Sequence, residues 1–269
     1  MNEECGKTTN SDLVHAWYCS SKGDVREEMQ DAMIVSSTKH GDRCYDVFAV
    51  MDGHGTVNTV RYCHTHLMTY FNAALSKTNS VRDALKLVFK RLDHETNEKN
   101  IDGGTTLSMV VYDRIRKKTF CANVGDSAVH VVRVEEAKPG VMKHKILRMS
   151  HNHNVNARSE KRRVINSSDH YIADGYVCTD TTSLAMTRAI GDHDVGKVIM
   201  AEPYVREVSN PNYIIIASDG IWDVMTREEV WDVCKVHTAG NPAKSLIEYR
   251  DTKYEQHDNS SIIFVSFTP

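Results

Sequence analysis

Apolar runs closed by polar turns alternate along this chain with stretches in which apolar residues return every three to four positions. The most informative run is Tyr45-Asp-Val-Phe-Ala-Val-Met51, followed at once by Asp52-Gly53-His54-Gly55-Thr56. It predicts a strand buried on both faces that ends in a carboxylate, two glycines and an imidazole. The pattern returns where Tyr213-Ile-Ile-Ile-Ala217 runs into Ser218-Asp219-Gly220-Ile221-Trp222-Asp223. Residues 15–20 and 32–35 also read as strands, and residues 1–12 as a short flexible lead. Val57, Val60, Leu67, Phe71 and Ala74 recur near the helix period, and Ser80 as N-cap with Asp83 opens a second helix through Val81, Ala84, Leu85, Val88 and Leu92. These are packing helices. His64 and His66 fall on different faces of the first, so both read as structural or exposed.

Strands over 107–112, 119–124, 129–134 and 145–149 are joined by turns too short for helical crossovers, which predicts antiparallel hairpins and an α+β fold. A basic segment from Arg158 predicts a solvated helix. Thr226 and Glu229 form a capping box for a helix through Val230, Val233 and Cys234, and Pro242 starts a final helix before a strand over 262–267.

Composition narrows the class. The 269 residues are 41% hydrophobic and 26% charged, with no Pro/Gly/Ser-rich linker, which predicts one domain over residues 13–269. A formal net charge of -3 leaves no basic excess for nucleic acid or an anionic membrane. The seven cysteines form no Cys-x-x-Cys pair and read as reduced, mostly buried thiols. With no signal peptide, no myristoylation glycine and no apolar run of membrane-spanning length, a cytoplasmic or nuclear protein is expected. No segment reads as an oligomerisation helix, so a monomer is expected.

An Asp-Gly pair after an apolar strand is a common turn signal. Here it recurs, joined by the acidic turn Asn123-Val-Gly125-Asp126-Ser127 and by Asp258-Asn259 just before the last strand. Carboxylates gathered at one edge repel one another unless something positive sits among them, and hard oxygen donors favour Mg or Mn. Arg26, alone a surface arginine, gains a use beside such an edge as a clamp for phosphate oxygens. His151-Asn-His153 could be a metal pair, but with no further Cys or His cluster beside it a polar loop is the better reading.

The ordered set Arg26-Glu-Glu-Met-Gln-Asp31, Val50-Met-Asp-Gly-His-Gly55, Gly104-Thr-Thr106, Asn123-Val-Gly-Asp-Ser127, residues 184–192, Ala217-Ser-Asp-Gly-Ile-Trp-Asp223 and Asp258-Asn259 resembles the type 2C (PPM) protein phosphatases. The resemblance runs from about Trp17 to Phe267. It implies a sandwich of two antiparallel sheets flanked by helix pairs, with a metal cleft at one edge, and hydrolysis of phosphoserine and phosphothreonine in protein substrates with two Mg2+ or Mn2+ ions. On this resemblance Asp52 bridges the ions, the Gly53 carbonyl binds one of them, and Asp219 and Asp258 bind the other. Asp126 and Asp223 match positions that help hold a third ion, Arg26 the phosphate-binding arginine, and His54 the histidine proposed as general acid.

The chain departs from that pattern at Gln30, where Glu is usual; a neutral amide weakens the second metal position, with Asp31 beside it to compensate. Thr56, Ala128 and Asn152 depart at positions that bear on substrate contacts and loop stability. Any substrate-recognising flap over 166–182 is expected to be small. Two rivals follow: a silent pseudophosphatase serving as a binding module, motivated by Gln30 but opposed by the retained carboxylates, and a phosphatase of small phosphorylated metabolites.

Overall fold

The computed structural model describes residues 3–11, 14–167, 170–255 and 257–267. In chain order these form β1 (Glu3–Ser11), β2 (Val14–Ser21), β3 (Asp31–His40), β4 (Arg43–His54), α1 (Asn58–Lys77), α2 (Val81–Glu98), β5 (Gly104–Thr105), β6 (Leu107–Asp113), β7 (Lys118–Val124), β8 (Ala128–Lys138) and β9 (Val141–Arg148). There follow α3 (Arg158–Ile165), β10 (Tyr171–Ala173), β11 (Tyr176–Cys178), β12 (Ser183–Leu184), β13 (Ile190–Gly191), β14 (Tyr204–Ser209), β15 (Tyr213–Ala217), α4 (Asp219–Trp222), α5 (Arg227–Val236), α6 (Pro242–Lys253) and β16 (Ser260–Ser266).

Two antiparallel sheets carry the molecule. One runs β1-β2-β16-β15-β8-β9; the other runs β13-β5-β4-β6-β7-β14, with β3 added alongside β4. The period of two along each strand sends neighbouring side chains to opposite faces, and here both faces find an apolar layer. Phe48 and Val50 of β4 point between the sheets, where they pack with Ile214, Ile216, Ile263 and Val265. Val47, Ala49 and Met51 point the other way, into α1 and α2 against Leu67, Phe71, Leu85 and Phe89. Across the sandwich Ile215, Ala217, Ile262 and Phe264 face α5 and α6 through Trp231, Leu246 and Ile247. Helix, sheet, sheet and helix therefore stack as four layers, which is why β4 and β15 read as unbroken apolar runs. Each such side chain, fully buried, contributes about 1.5–3 kcal/mol relative to exposure.

The helix starts follow the predicted capping chemistry. Ser80 Oγ accepts from Asp83 N at 3.3 Å and Thr226 Oγ1 from Glu229 N at 3.2 Å. Pro242 occupies the first turn of α6, with Asn241 as its cap.

Two expectations fail at the N-terminus. The flexible lead is instead the edge strand β1, paired with β2 from Glu3↔Ser21 to Ser11↔Val14 with a shift of register between Thr9 and Ser11; residues 1, 2 and 12 lie outside the described residues. Its polar composition hides a strand whose backbone pairing, not apolar burial, holds it in place. That pairing sets Cys5 opposite Cys19, and the two are joined as a disulfide. The reduced, mostly buried thiols are the remaining five, of which Cys63, Cys121, Cys178 and Cys234 are buried.

Candidate active site

Antiparallel pairing brings the predicted acidic strand ends to one edge of the sandwich. Asp31, first in β3, lies directly opposite Asp52 near the end of β4. Ala217, last in β15, pairs with Ile262 of β16, so Asp219 opens α4 beside Asp258 and Asn259. Asp126 follows β7 in the turn that leads to β8.

The backbone there is firmly tied. Asp52 N donates to Thr106 Oγ1 (3.2 Å), while its carbonyl accepts from Thr106 N (2.9 Å) and Thr105 Oγ1 (3.1 Å). Gly53 N donates to Gln30 O (3.0 Å), and Gln30 N to Asn259 Oδ1 (2.6 Å). A Cβ at Gly53 would stand 2.7 Å from Gln30 O and 2.9 Å from a Val60 methyl, so only glycine passes this point. Ser218 Oγ donates to Asp31 Oδ2 at 2.7 Å and accepts from Ser261 N at 3.0 Å. Arg250, fully buried, reaches from α6 to Ser260 Oγ and to Asp251 Oδ1, bracing the start of β16.

The electrostatics are those of crowded like charges in a desolvated place. Asp31 is pushed up to about 6 by burial, partly offset by the Ser218 hydrogen bond. Burial, then the charge of Asp126, pushes Asp219 up to about 7. Asp52 is raised well above the carboxylate range by burial and by the charges of Asp31 and Asp219. Asp126 is raised by burial, and Asp223 by burial and then by Asp126. Oδ1 of Asp31 and Oδ1 of Asp126 are buried without a hydrogen-bond partner.

Arg26 and Asp258 stand apart from this crowd. The guanidinium grips Asp258 with two parallel bonds, Nε to Oδ1 at 2.7 Å and a terminal nitrogen to Oδ2 at 2.8 Å. Burial raises the Asp258 pKa, but the Arg26 hydrogen bond and charge bring it below the usual value. The two groups assigned by resemblance to phosphate and to metal thus hold each other, and no three His, Cys, Asp or Glu groups among the described residues close round one point as a finished ion cage. The donor set nevertheless fits a hard divalent cation: several oxygen donors, two of them orphaned, whose mutual repulsion a positive charge would relieve.

His54 lies at the tip of β4 with its Nε2 2.7 Å from Oδ2 of Asp192, 138 residues along the chain. Both line a cleft of about 730 Å³ with Thr56, Asp102, Ser183 and Asp194. Nothing in the local sequence assigns Asp192 a role; the one available signal is the Gly191-Asp192 end of the motif over 184–192. His153, on the reading as a polar loop, is instead fully buried with neither ring nitrogen bonded, and burial lowers it to about 3. His151 lies edge-on to it at 5.2 Å. His64 is exposed, and His66 stacks on Tyr70 at 5.6 Å.

A two-sheet sandwich with an acidic edge, an arginine fork and an imidazole is the architecture of a metal-dependent phosphoesterase. Residues 18–257 match the family model of protein phosphatase 2C, and the chain belongs to that family. It is 28% identical over 277 residues to probable protein phosphatase 2C 7 of Oryza sativa subsp. japonica, covering 98% of this chain and 68% of the relative. It is also 28% identical over 226 residues to protein phosphatase 2C homolog 1 of Saccharomyces cerevisiae, with 75% of each covered. Of a second rice relative, probable protein phosphatase 2C 52, the chain spans only 52%. The fold agrees with that of a serine-threonine phosphatase 2C from Toxoplasma gondii, at a TM-score of 0.79, 18% identity and coverage of 98% and 99%. The enzyme class is therefore a metal-dependent serine/threonine protein phosphatase, built as the α+β sandwich expected.

Proposed function

We propose that this chain hydrolyses phosphoserine and phosphothreonine in protein substrates with Mg2+ or Mn2+ held at the acidic edge. The observation that carries the reading is the convergence of Asp31, Asp52, Asp126 and Asp219, all with raised pKa values, on one end of the sandwich. Two such ions, when bound, lower the pKa of a shared water and neutralise phosphoryl charge during in-line attack.

Asp52 and the Gly53 carbonyl would hold one ion and Asp52, Asp219 and Asp258 the other, with Gln30, Asp31, Asp126 and Asp223 at the margins of the site. Arg26 exchanges its grip on Asp258 for the phosphoryl oxygens, to which its fork is equally suited. His54 supplies a proton to the departing Ser or Thr oxygen, a poor leaving group when unprotonated.

No helix among the described residues is long and apolar enough to cross a membrane, and no basic excess invites nucleic acid. Phosphoproteins are the substrates on this reading, and a single chain suffices for the site. Phosphate release from a phosphothreonine peptide and from glucose 6-phosphate, both in Mn2+, tests the substrate class. The peptide is expected to turn over with at least about tenfold higher kcat/KM, the size of one modest set of extra contacts. Faster turnover of the sugar phosphate would contradict the proposal.

A further inference from the structure

The α1–α2 pair has a second face. Both helices turn an apolar stripe to the sheet, α1 through Leu67 and Phe71 and α2 through Leu85, Phe89 and Leu92. Elsewhere on α2, Leu87, Lys90, Arg91 and His94 recur at spacings of three and four, which puts them on one side of the helix. Ala73 and Lys77 make the matching pair on α1, and the two sets line a cleft of about 460 Å³.

The apolar surface of this cleft is Ala73 with Leu87, which is 40% exposed. One carboxylate, Glu95, also lines it, but that group is already engaged. It accepts from Lys99 Nζ and from the Tyr62 hydroxyl at 3.2 Å, and it lies 3.5 Å from Arg91 Nε. Arg91 in turn covers the Tyr70 ring, 3.9 Å from its centroid. Lys77 and Lys90, both exposed, have no hydrogen-bond or ion-pair partner among the described residues. A chain with a formal net charge of -3 thus sets two uncommitted ammonium groups beside an open leucine. The complement is a peptide whose apolar side chain rests on Leu87 and Ala73 while its carboxylates meet Lys77 and Lys90; a basic segment would be repelled.

The distance from the acidic edge sets the spacing such a peptide needs. Val60, early in α1, packs against Gly53, and Ala73 lies about 20 Å further along the helix axis. An extended chain covers that span in about six residues. Resting on the phosphatase reading above, we propose that this cleft docks an acidic segment of the phosphoprotein substrate, carrying one large apolar side chain and lying at least about six residues from the phosphorylated Ser or Thr. Docking there raises the local concentration of the phosphoester at the acidic edge.

A fluorescein-labelled, unphosphorylated peptide with one leucine set among aspartates and glutamates tests the cleft alone, by anisotropy. It is expected to bind the native chain, and to bind at least about fivefold more weakly to the double variant Lys77→Glu, Lys90→Glu and to Leu87→Ser. The same segment is then joined through about 14 Gly/Ser residues, a linker whose typical reach matches the span, to a phosphothreonine peptide. In Mn2+ the native chain should show a KM about fivefold or more lower for the tailed peptide than for the untailed one, with kcat unchanged. Both variants should lose that preference while turning over the untailed peptide as the native chain does, which also shows that they are folded. Equal KM for the two peptides, a preference that survives in both variants, or no binding of the labelled peptide would overturn the proposal. Turnover of neither peptide by the native chain would count instead against the phosphatase reading, and the anisotropy then judges the cleft by itself.

Discussion

On the proposed metal site, Gln30 is the position at which a single residue type should set the strength of ion binding. Its backbone is fixed on both sides, by Asn259 and by Gly53, so the residue type alone decides what the side chain offers to an ion. An amide oxygen is a neutral donor, and each added carboxylate strengthens binding of a hard cation. Gln30→Glu should therefore tighten the weaker Mn2+ binding event by roughly tenfold in a calorimetric titration. An unchanged or weaker isotherm would show that Asp31 and Asp52 already supply what the ion needs.

At the same scale, legibility followed whether a residue's partner was near in sequence or announced by a strand end. Asp52, Asp126 and Asp219 each close an apolar run, so the run pointed at them. Asp192 closes only the two-residue β13, and its partner is 138 residues away. The disposition of Arg26 was hidden for a similar reason. Its carboxylate partner lies 232 residues along the chain, and a bidentate grip on Asp258 leaves no trace in local pattern.

Among the elements, α3 forms as the mostly exposed helix its pattern predicts, with Glu160 as the exception among its charged residues. Its run of Arg and Lys predicts a solvated helix, yet Glu160 within it is 2% exposed and holds Arg163 at 3.0 Å and Arg188 at 2.7 Å. Burial alone would raise the Glu160 pKa; the bonds from Arg188 and Arg163 outweigh it and bring the group down to about 2. A carboxylate whose folded pKa is depressed contributes stability above its unfolded value, here near 4.5, and loses it as pH falls towards 2.

Glu160→Gln should destabilise the protein by about 1–3 kcal/mol at neutral pH, the cost of weakening charge-assisted hydrogen bonds to two half-buried arginines, and should flatten the acid limb between those two pH values. Denaturant midpoints measured across that range check both effects. A variant as stable as native, with the acid limb intact, would mean that the arginines are adequately solvated without Glu160. The misjudged element, β1, carries no apolar alternation and is held by ladder bonds and the Cys5–Cys19 link. Hydrophobic pattern is silent about such an edge strand.

For the molecule as a whole, the four-layer order was expected from the family resemblance, and pattern supplied the strands it needs: β4, β15 and β16 are apolar on both faces. One face serves the space between the sheets and the other serves a helix pair. Short turns between successive strands excluded helical crossovers, and the same antiparallel pairing carries the acidic strand ends to a single edge. What pattern could not give is which groups at that edge hold each other, since this depends on side-chain packing between segments far apart in sequence.

On the proposed function the acidic edge is a metal site for phosphoester hydrolysis, and Asp52 is its hub, beside Asp31 and Asp219 and tied through its backbone to Thr105 and Thr106. The most direct measurement is phosphate release from a phosphothreonine peptide by the native chain and by Asp52→Asn, each with Mn2+ and with a chelator. The expected result is turnover by the native chain that requires Mn2+ and falls at least about 10²-fold in the variant, as for loss of a group that organises catalytic charge. Native turnover that persists in the chelator, or an Asp52→Asn variant as active as native, would contradict it.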